Sequence, residues 1–174
     1  MEAIWQEVVI VADVRDVAHF FISIAQHQSE AESGDLMTNL RLQKLLYFAQ
    51  GWYLARFGKP LFEAVFVAWK YGPVAPEIYN LYKKYGSQGI TDTSDYLSDR
   101  FTTDEYDLLL DVAREYDKYS TSALVALSHA PNAPWSNAEQ SAVIPLNEIQ
   151  AYFAGKEPLP SFDDLLAVYP IEVI

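Results

Sequence analysis

Three histidines and one serine are the side chains of this sequence most easily associated with catalysis or metal binding, and the chain has no cysteine. His19 and His27 are eight residues apart, so on one helix they would differ by about 80° in direction and stand two turns apart. That arrangement suits no shared metal ion. Ser128 precedes His129, but neighbours on a helix point about 100° apart and cannot form a hydrogen-bonded nucleophile and base. We therefore expect a protein that is not an enzyme and has no metal site.

No cofactor is expected either. The seven glycines include no G-x-G pair, so the loop that cradles the phosphates of a nucleotide cofactor is not indicated. The adjacent acids Asp163 and Asp164 stand near the end of the chain, where a solvated position explains them without a catalytic cleft.

Charge is unevenly distributed along this chain, whose net charge is -12. Residues 38–86 have a net charge of +5, whereas residues 1–37 and 87–138 each have -6 and residues 139–174 have -5. The basic stretch contains aromatic residues, as nucleic-acid-binding surfaces do, but the overall acidity repels nucleic acid. Pairing of this stretch with an acidic helix at residues 104–117 is the favoured alternative. The acidity would also steer a basic protein towards the chain. The basic residues concerned are Arg41, Lys44, Arg56, Lys59, Lys70, Lys83 and Lys84.

Nothing in the sequence indicates a membrane protein. The apolar run near the start, residues 8–12, is too short to span a bilayer and follows no basic residue. Absence of cysteine fits a reducing compartment. These features predict a protein of the cytoplasm with no membrane partner.

Apolar residues spaced three and four apart predict a mainly α fold, a single compact domain of about six helices with one or two short β-strands. The helices are predicted at residues 14–27, 39–57, 76–85, 103–119, 121–130 and 146–154. A β-strand is predicted at residues 64–71, stopped by Gly72-Pro73, and a second short strand near residues 89–90. The helix at 39–57 is apolar around most of its circumference, which predicts a central position.

Local signals mark several helix ends. Thr38 and Ser120 are predicted N-caps, and Thr102 with Glu105 has the spacing of a capping box. Gly58 is expected to end the central helix in the left-handed conformation. By composition we divide the chain into an N-terminal arm at 1–12, the helical domain at 13–155, and an acidic tail with three prolines at 156–174.

Four sequence blocks occur in the order found in the Panacea domain family, which includes the SocA-like and GepA-like phage-associated proteins. They are L-R-L-Q-K-L-L-Y-F-A-Q-G-W-Y-L-A at 40–55, G-K-P-L-F at 58–62, A-W-K-Y-G-P-V-A-P-E-I-Y at 68–79 and Y-x-x-Y-G at 82–86. L-S-H-A-x-x-A-P-W at 127–135 is similar to a later element of that family. The resemblance covers roughly residues 14–154.

The resemblance implies a helical antitoxin that neutralises a small cognate toxin by direct protein binding. It implies two alternatives as well, an adaptor that delivers its partner to a AAA+ protease and a protein of phage defence or counter-defence. As an adaptor, the chain would use its tail at 156–174. Autoregulation by DNA binding is not expected, because no basic helix-turn-helix is evident.

Most motif residues have the spacing of a buried scaffold, and Trp69 and Trp135 are predicted to be core residues. A partner is then expected to bind helix faces, the 87–101 loop or the termini. Around the motif, five side chains are candidates for partner contact, namely Trp52, Tyr53, Tyr79, Tyr82 and Lys83.

Overall fold

The computed structural model describes residues 11–32, 36–92 and 98–168. The α-helices of the described ranges are α1 (Val14–Glu32), α2 (Asn39–Phe57), α3 (Pro76–Tyr82), α4 (Thr103–Asp117), α5 (Thr121–Ser128), α6 (Pro134–Asn137), α7 (Leu146–Ala154) and α8 (Phe162–Val168). The strands are β1 (Phe66–Trp69), β2 (Gly72–Val74) and β3 (Val143–Ile144), and short 3-10 turns lie at Lys83–Tyr85 and Ser98–Arg100. The mainly α fold is confirmed, and α6, α8 and β3 are additions that the sequence patterns did not predict.

Helix α2 is the centre of the molecule, as its apolar circumference predicts. All its side chains from Leu42 to Leu54 are buried. Helices α1, α3, α4, α5 and α7 and strand β2 all pack against it. Helix α7 packs tightly on α2 at one point, because Gly51 lets the Phe153 ring lie directly on the α2 backbone. Phe153 also makes ring contacts with Tyr47, Phe48 and Trp52.

The ends of α2 are where the sequence predicts them. The Thr38 hydroxyl accepts a hydrogen bond from the Arg41 amide at 3.2 Å, which satisfies a donor that the helix leaves unpaired. Gly58 has a φ of +72° and donates its amide to the Leu54 carbonyl, so it closes the helix in the left-handed conformation.

The three strands form one antiparallel sheet in the order β2-β1-β3. Gly72-Pro73 was predicted to stop the first strand, and that prediction was wrong. The chain turns earlier, at Lys70-Tyr71, and Gly72 and Pro73 belong to β2. Gly72 has a φ of +108°, a conformation open to glycine, and Pro73 lies at an edge strand, where a missing amide donor is tolerated. β3 is only two residues long, too short for a periodic signal. Near residues 89–90 the structure has a single bridge from Gly89 to Thr38.

The segment after α7 returns to the body of the protein. Leu159 is buried in the core, and its carbonyl accepts a hydrogen bond from the Arg56 guanidinium at 3.3 Å. Helix α8 follows, with Ser161 capping it through the Asp164 amide at 3.1 Å. Residues 1–10 of the predicted arm at 1–12 lie outside the described residues, whereas Ala12, also part of that arm, bridges to Phe62 beside the core. Within the described ranges, no helix is long and apolar enough to cross a membrane.

Candidate partner-binding surface

Three of the five side chains predicted to contact a partner are buried. Trp52, Tyr53 and Tyr82 have exposed fractions of 8%, 3% and 3%, so they cannot form part of a docking surface in the folded protein. Trp52 donates its indole hydrogen to the hydroxyl of Tyr116 at 2.7 Å. The prediction of surface contact by these three fails for a physical reason: α2 and α3 are covered by elements distant in sequence.

The other two candidates lie at the surface. Lys83 is exposed, and Tyr79 is half-buried with its ring edge-on to Trp69 at 5.0 Å between centroids. Trp69 and Val67 point to the outer face of the sheet, where Val143 pairs with Val67 and is exposed. This outer face is a small apolar patch, and contact of Tyr79 or Lys83 with a partner stays a prediction.

Buried amides on α2 explain why the first sequence block is polar as well as apolar. The Gln50 side chain accepts from the Leu61 amide at 2.8 Å and donates to the Phe62 carbonyl at 2.8 Å. Gln43 accepts from the Ala75 amide at 2.9 Å. These glutamines fix the chain on either side of the hairpin, since buried backbone groups must find partners. They hold the scaffold and are not available to a ligand.

Lys44 is fully buried on the same helix. Its ammonium nitrogen donates to the Pro73 carbonyl oxygen at 2.7 Å, and burial lowers the pKa of Lys44 to about 7. The lysine therefore fastens strand β2 to α2 and is partly neutral at physiological pH.

His129 and Ser128 do not form a catalytic pair. The Ser128 hydroxyl donates to the Val125 carbonyl at 2.7 Å, and the His129 ring stacks on Trp135 at 3.7 Å between centroids. Burial, and secondarily the nearby Lys44 charge, lowers the pKa of His129. Trp135 in turn donates its indole hydrogen to the Trp69 carbonyl at 2.7 Å, so this sequence block anchors the sheet. The described residues contain no cluster of three or more potential metal ligands.

An open cleft of about 720 Å³ lies along α4 and is here called the acidic cleft. Its walls come from α1, the C-terminal end of α2 and the start of α8. Five aspartates and two arginines line it, so its side chains have a net charge of -3. The residues that line it are Ile24, Gln28, Arg56, Phe57, Asp104, Asp107, Leu110, Asp111, Ala113, Arg114, Asp117, Ser161, Phe162 and Asp163.

One of these aspartates is neutralised from within the protein. Asp111 is buried and pairs with Arg56 at 2.9 Å and with Arg114 at 2.6 Å. The predicted match of the basic stretch with the acidic helix is thus confirmed for Arg56. Arg41 instead donates to two backbone carbonyls, that of Tyr116 in the last turn of α4 at 3.0 Å and that of Tyr119 just after the helix at 2.8 Å.

Three of the four other aspartates of the cleft have no cationic partner among the described residues, whereas Asp117 lies near the Arg41 charge. Asp104, Asp107 and Asp163 are exposed, and no ion pair reaches them from anywhere in the described ranges. The sequence predicted the acidic helix but not that its acids line a cleft. Spacings of three and four from Asp104 through Asp107 to Asp111 were the available signal, since they place acids on one helix side.

A second cleft of about 690 Å³ continues from the first, sharing Ile24, Gln28, Ala113 and Asp117 with it. It reaches the N-terminal end of α2 at Thr38 and Arg41. Together the two clefts follow α4 along its length on the side towards α1.

Comparison with known proteins identifies a relative that is named as an antitoxin. Antitoxin SocA of Caulobacter vibrioides (strain NA1000 / CB15N) is 38% identical over 109 residues, which are 57% of this chain and 58% of that protein. The match thus spans less than two thirds of the relative's length. No solved structure matches the chain. The family model described as "Antitoxin SocA-like, Panacea domain" matches residues 42–136, more than half of the chain, from within α2 to within α6. The chain therefore belongs to the SocA-like Panacea domain family.

Proposed function

We propose that this protein is an antitoxin that neutralises a toxin protein by binding it directly. The observation that carries the proposal is the match of the antitoxin family model over residues 42–136, together with the similarity to a protein named as an antitoxin. A non-catalytic role agrees with the geometry of Ser128 and His129, which are engaged in scaffold contacts.

The distribution of buried and exposed residues supports binding by a rigid surface. The first sequence block is buried in α2, where Gln43, Lys44 and Gln50 hold neighbouring segments. The acidic cleft, in contrast, is exposed and keeps uncompensated charge at Asp104 and Asp107. A rigid scaffold that presents such a surface loses little conformational entropy on association. The acidity favours a basic toxin, because opposite charges accelerate the encounter of two proteins.

Co-expression tests the proposal. The tagged protein is produced together with the products of the genes beside its own, and the captured complex is weighed by native mass spectrometry. Growth is measured with each neighbouring gene expressed alone and with the pair. We expect one neighbour to arrest growth alone, to be tolerated in the pair, and to be captured in a fixed stoichiometry.

A core variant supplies the control for this experiment. Leu46→Asp places a charge in a fully buried position and should abolish both rescue and capture by unfolding the protein. Rescue of growth without a stable complex, accompanied by disappearance of the neighbour from the cell, would overturn neutralisation by sequestration. That outcome would indicate an adaptor for a AAA+ protease instead.

A further inference from the structure

We infer that the acidic cleft binds a basic amphipathic helix of the partner protein, an inference that rests on the proposed function. The two faces of such a helix match two features of the cleft. The acids of the cleft lie along α4, and exposed apolar side chains lie between and opposite these acids.

The apolar contacts would come from exposed side chains of α4 and α8. Leu110 is 37% exposed and Phe162 is 53% exposed, although both are large hydrophobic residues. Phe57 and Ile24 are half-buried in the cleft walls. Apolar side chains at successive helical turns of a partner could cover all four, and covering them would remove apolar surface from water.

The wall of the cleft formed by Phe162 is positioned before a partner binds. The Arg114 guanidinium lies 5.7 Å from the centre of the Phe162 ring and donates to the Pro160 carbonyl at 3.4 Å. Ser161 accepts from the Asp164 amide and caps α8. These contacts hold Phe162 at the edge of the cleft, so the site does not have to be assembled on binding.

A helix fits the cleft better than an extended strand. The cleft is lined by helices whose backbone amides and carbonyls are already paired, so an inserted strand would find no backbone partners. A helix pairs its own backbone and can present one apolar stripe flanked by lysine or arginine. From Asp104 to Asp117 the cleft extends about 20 Å, which corresponds to about 13 residues or nearly four turns of a partner helix.

The negative charge of the cleft selects for basic helices. The cleft has a net side-chain charge of -3. Its free acids Asp104, Asp107 and Asp163 would face the flanking cations, whereas an acidic helix, a nucleic acid or an anionic membrane would be repelled. Pairs of this kind at an exposed rim contribute mainly to the association rate and to partner choice.

A synthetic peptide of 15 residues tests the inference on the whole protein without the natural partner. The peptide has leucines at positions i, i+3, i+4, i+7, i+8 and i+11, lysines elsewhere, and a fluorescent label for anisotropy. A second peptide of the same composition has its leucines scrambled, so it keeps the charge but loses the apolar stripe. We expect the first peptide to bind about tenfold or more tightly than the second, because only the first buries Leu110 and Phe162.

Matched pairs of neutralised acids locate the binding. Asp104→Asn with Asp107→Asn removes two charges from the cleft, and Glu63→Gln with Glu139→Gln removes two exposed charges outside it. The cleft variant should bind the first peptide about tenfold more weakly than the parent, and the outside variant within about twofold. Thermal melting of both variants verifies that each is folded.

Each outcome decides the inference. Equal binding of the two peptides, equal binding by the two double variants, or no binding of the first peptide would refute it. Because the peptide replaces the partner, these results stand whether or not growth is rescued by the whole protein. A toxin captured by the parent and by the cleft variant alike would refute the cleft as its site and leave the antitoxin function intact.

Discussion

Lys44 should make the protein more stable at pH 9 than at pH 7. Burial lowers the pKa of this lysine to about 7 in the folded protein, whereas an unfolded lysine titrates near pH 10.4. Between those two values the unfolded chain binds more protons than the folded one. The free energy of unfolding therefore rises with pH across that window and is lowest below pH 7.

The size of this rise follows from the two pKa values. Each pH unit with a full proton of difference between the states changes the free energy of unfolding by about 1.4 kcal/mol. At pH 7 the folded Lys44 is about half protonated, and at pH 9 it is almost fully neutral. The gain between pH 7 and pH 9 is thus about 2 kcal/mol.

Urea denaturation at pH 7, 8 and 9 measures this gain, with Lys44→Met as the reference. Methionine has a similar length but binds no proton. The rise in the free energy of unfolding that Lys44 causes between pH 7 and pH 9 should therefore be missing from the variant. The assay stays below pH 10, because burial raises the pKa of Tyr47 and Tyr116 and their ionisation on unfolding would then destabilise the fold. Parallel pH profiles for parent and variant would refute the reasoning, since they would show that Lys44 stays protonated when buried.

Three further predictions concern stability. Gly51→Ala would place a β-carbon 2.3 Å from the Phe153 ring, so we expect a loss of about 1–3 kcal/mol by urea denaturation, and an unchanged midpoint would contradict the close α2–α7 packing. Thr102→Ala removes the capping box that Thr102 forms with Glu105 and should cost about 0.5–2 kcal/mol, whereas Thr102→Ser should retain most of it. Leu159→Ala should cost at least about 2 kcal/mol if this residue is part of the core, and a loss below about 0.5 kcal/mol in thermal melting would show that the segment before α8 is dispensable.

Features that depend on neighbouring residues were predictable from the sequence. The bounds of α2 were predicted correctly because Thr38 and Gly58 act on backbone groups within four residues of them. The capping box of Thr102 and Glu105 is local in the same sense, and both of its hydrogen bonds are present. The start of α3 at Pro76 follows from the fixed φ of proline, which suits the first helical turn.

Features that depend on distant segments were not predictable. The burial of Trp52 is decided by Tyr116 and Phe153, which lie 64 and 101 positions further along the chain. Strand β3 forms because Val143 pairs with Val67 of β1, and a strand of two residues is too short to show an alternating pattern in the sequence. The acidic cleft likewise needs the return of Phe162 to α4, which no pattern around that residue indicates.

The closeness of Phe153 to Gly51 has a consequence for the time at which the protein becomes competent during translation. About 100 residues separate the two, so at a synthesis rate of roughly 5–20 residues per second an emerging α2 waits on the order of 5–20 s for α7. Throughout that interval Tyr47, Phe48 and Trp52 lack the Phe153 ring that they contact in the finished fold, although Phe66 and Tyr116 are made earlier. A chain whose synthesis stops before α7 therefore lacks the ring that covers Gly51 in the finished fold.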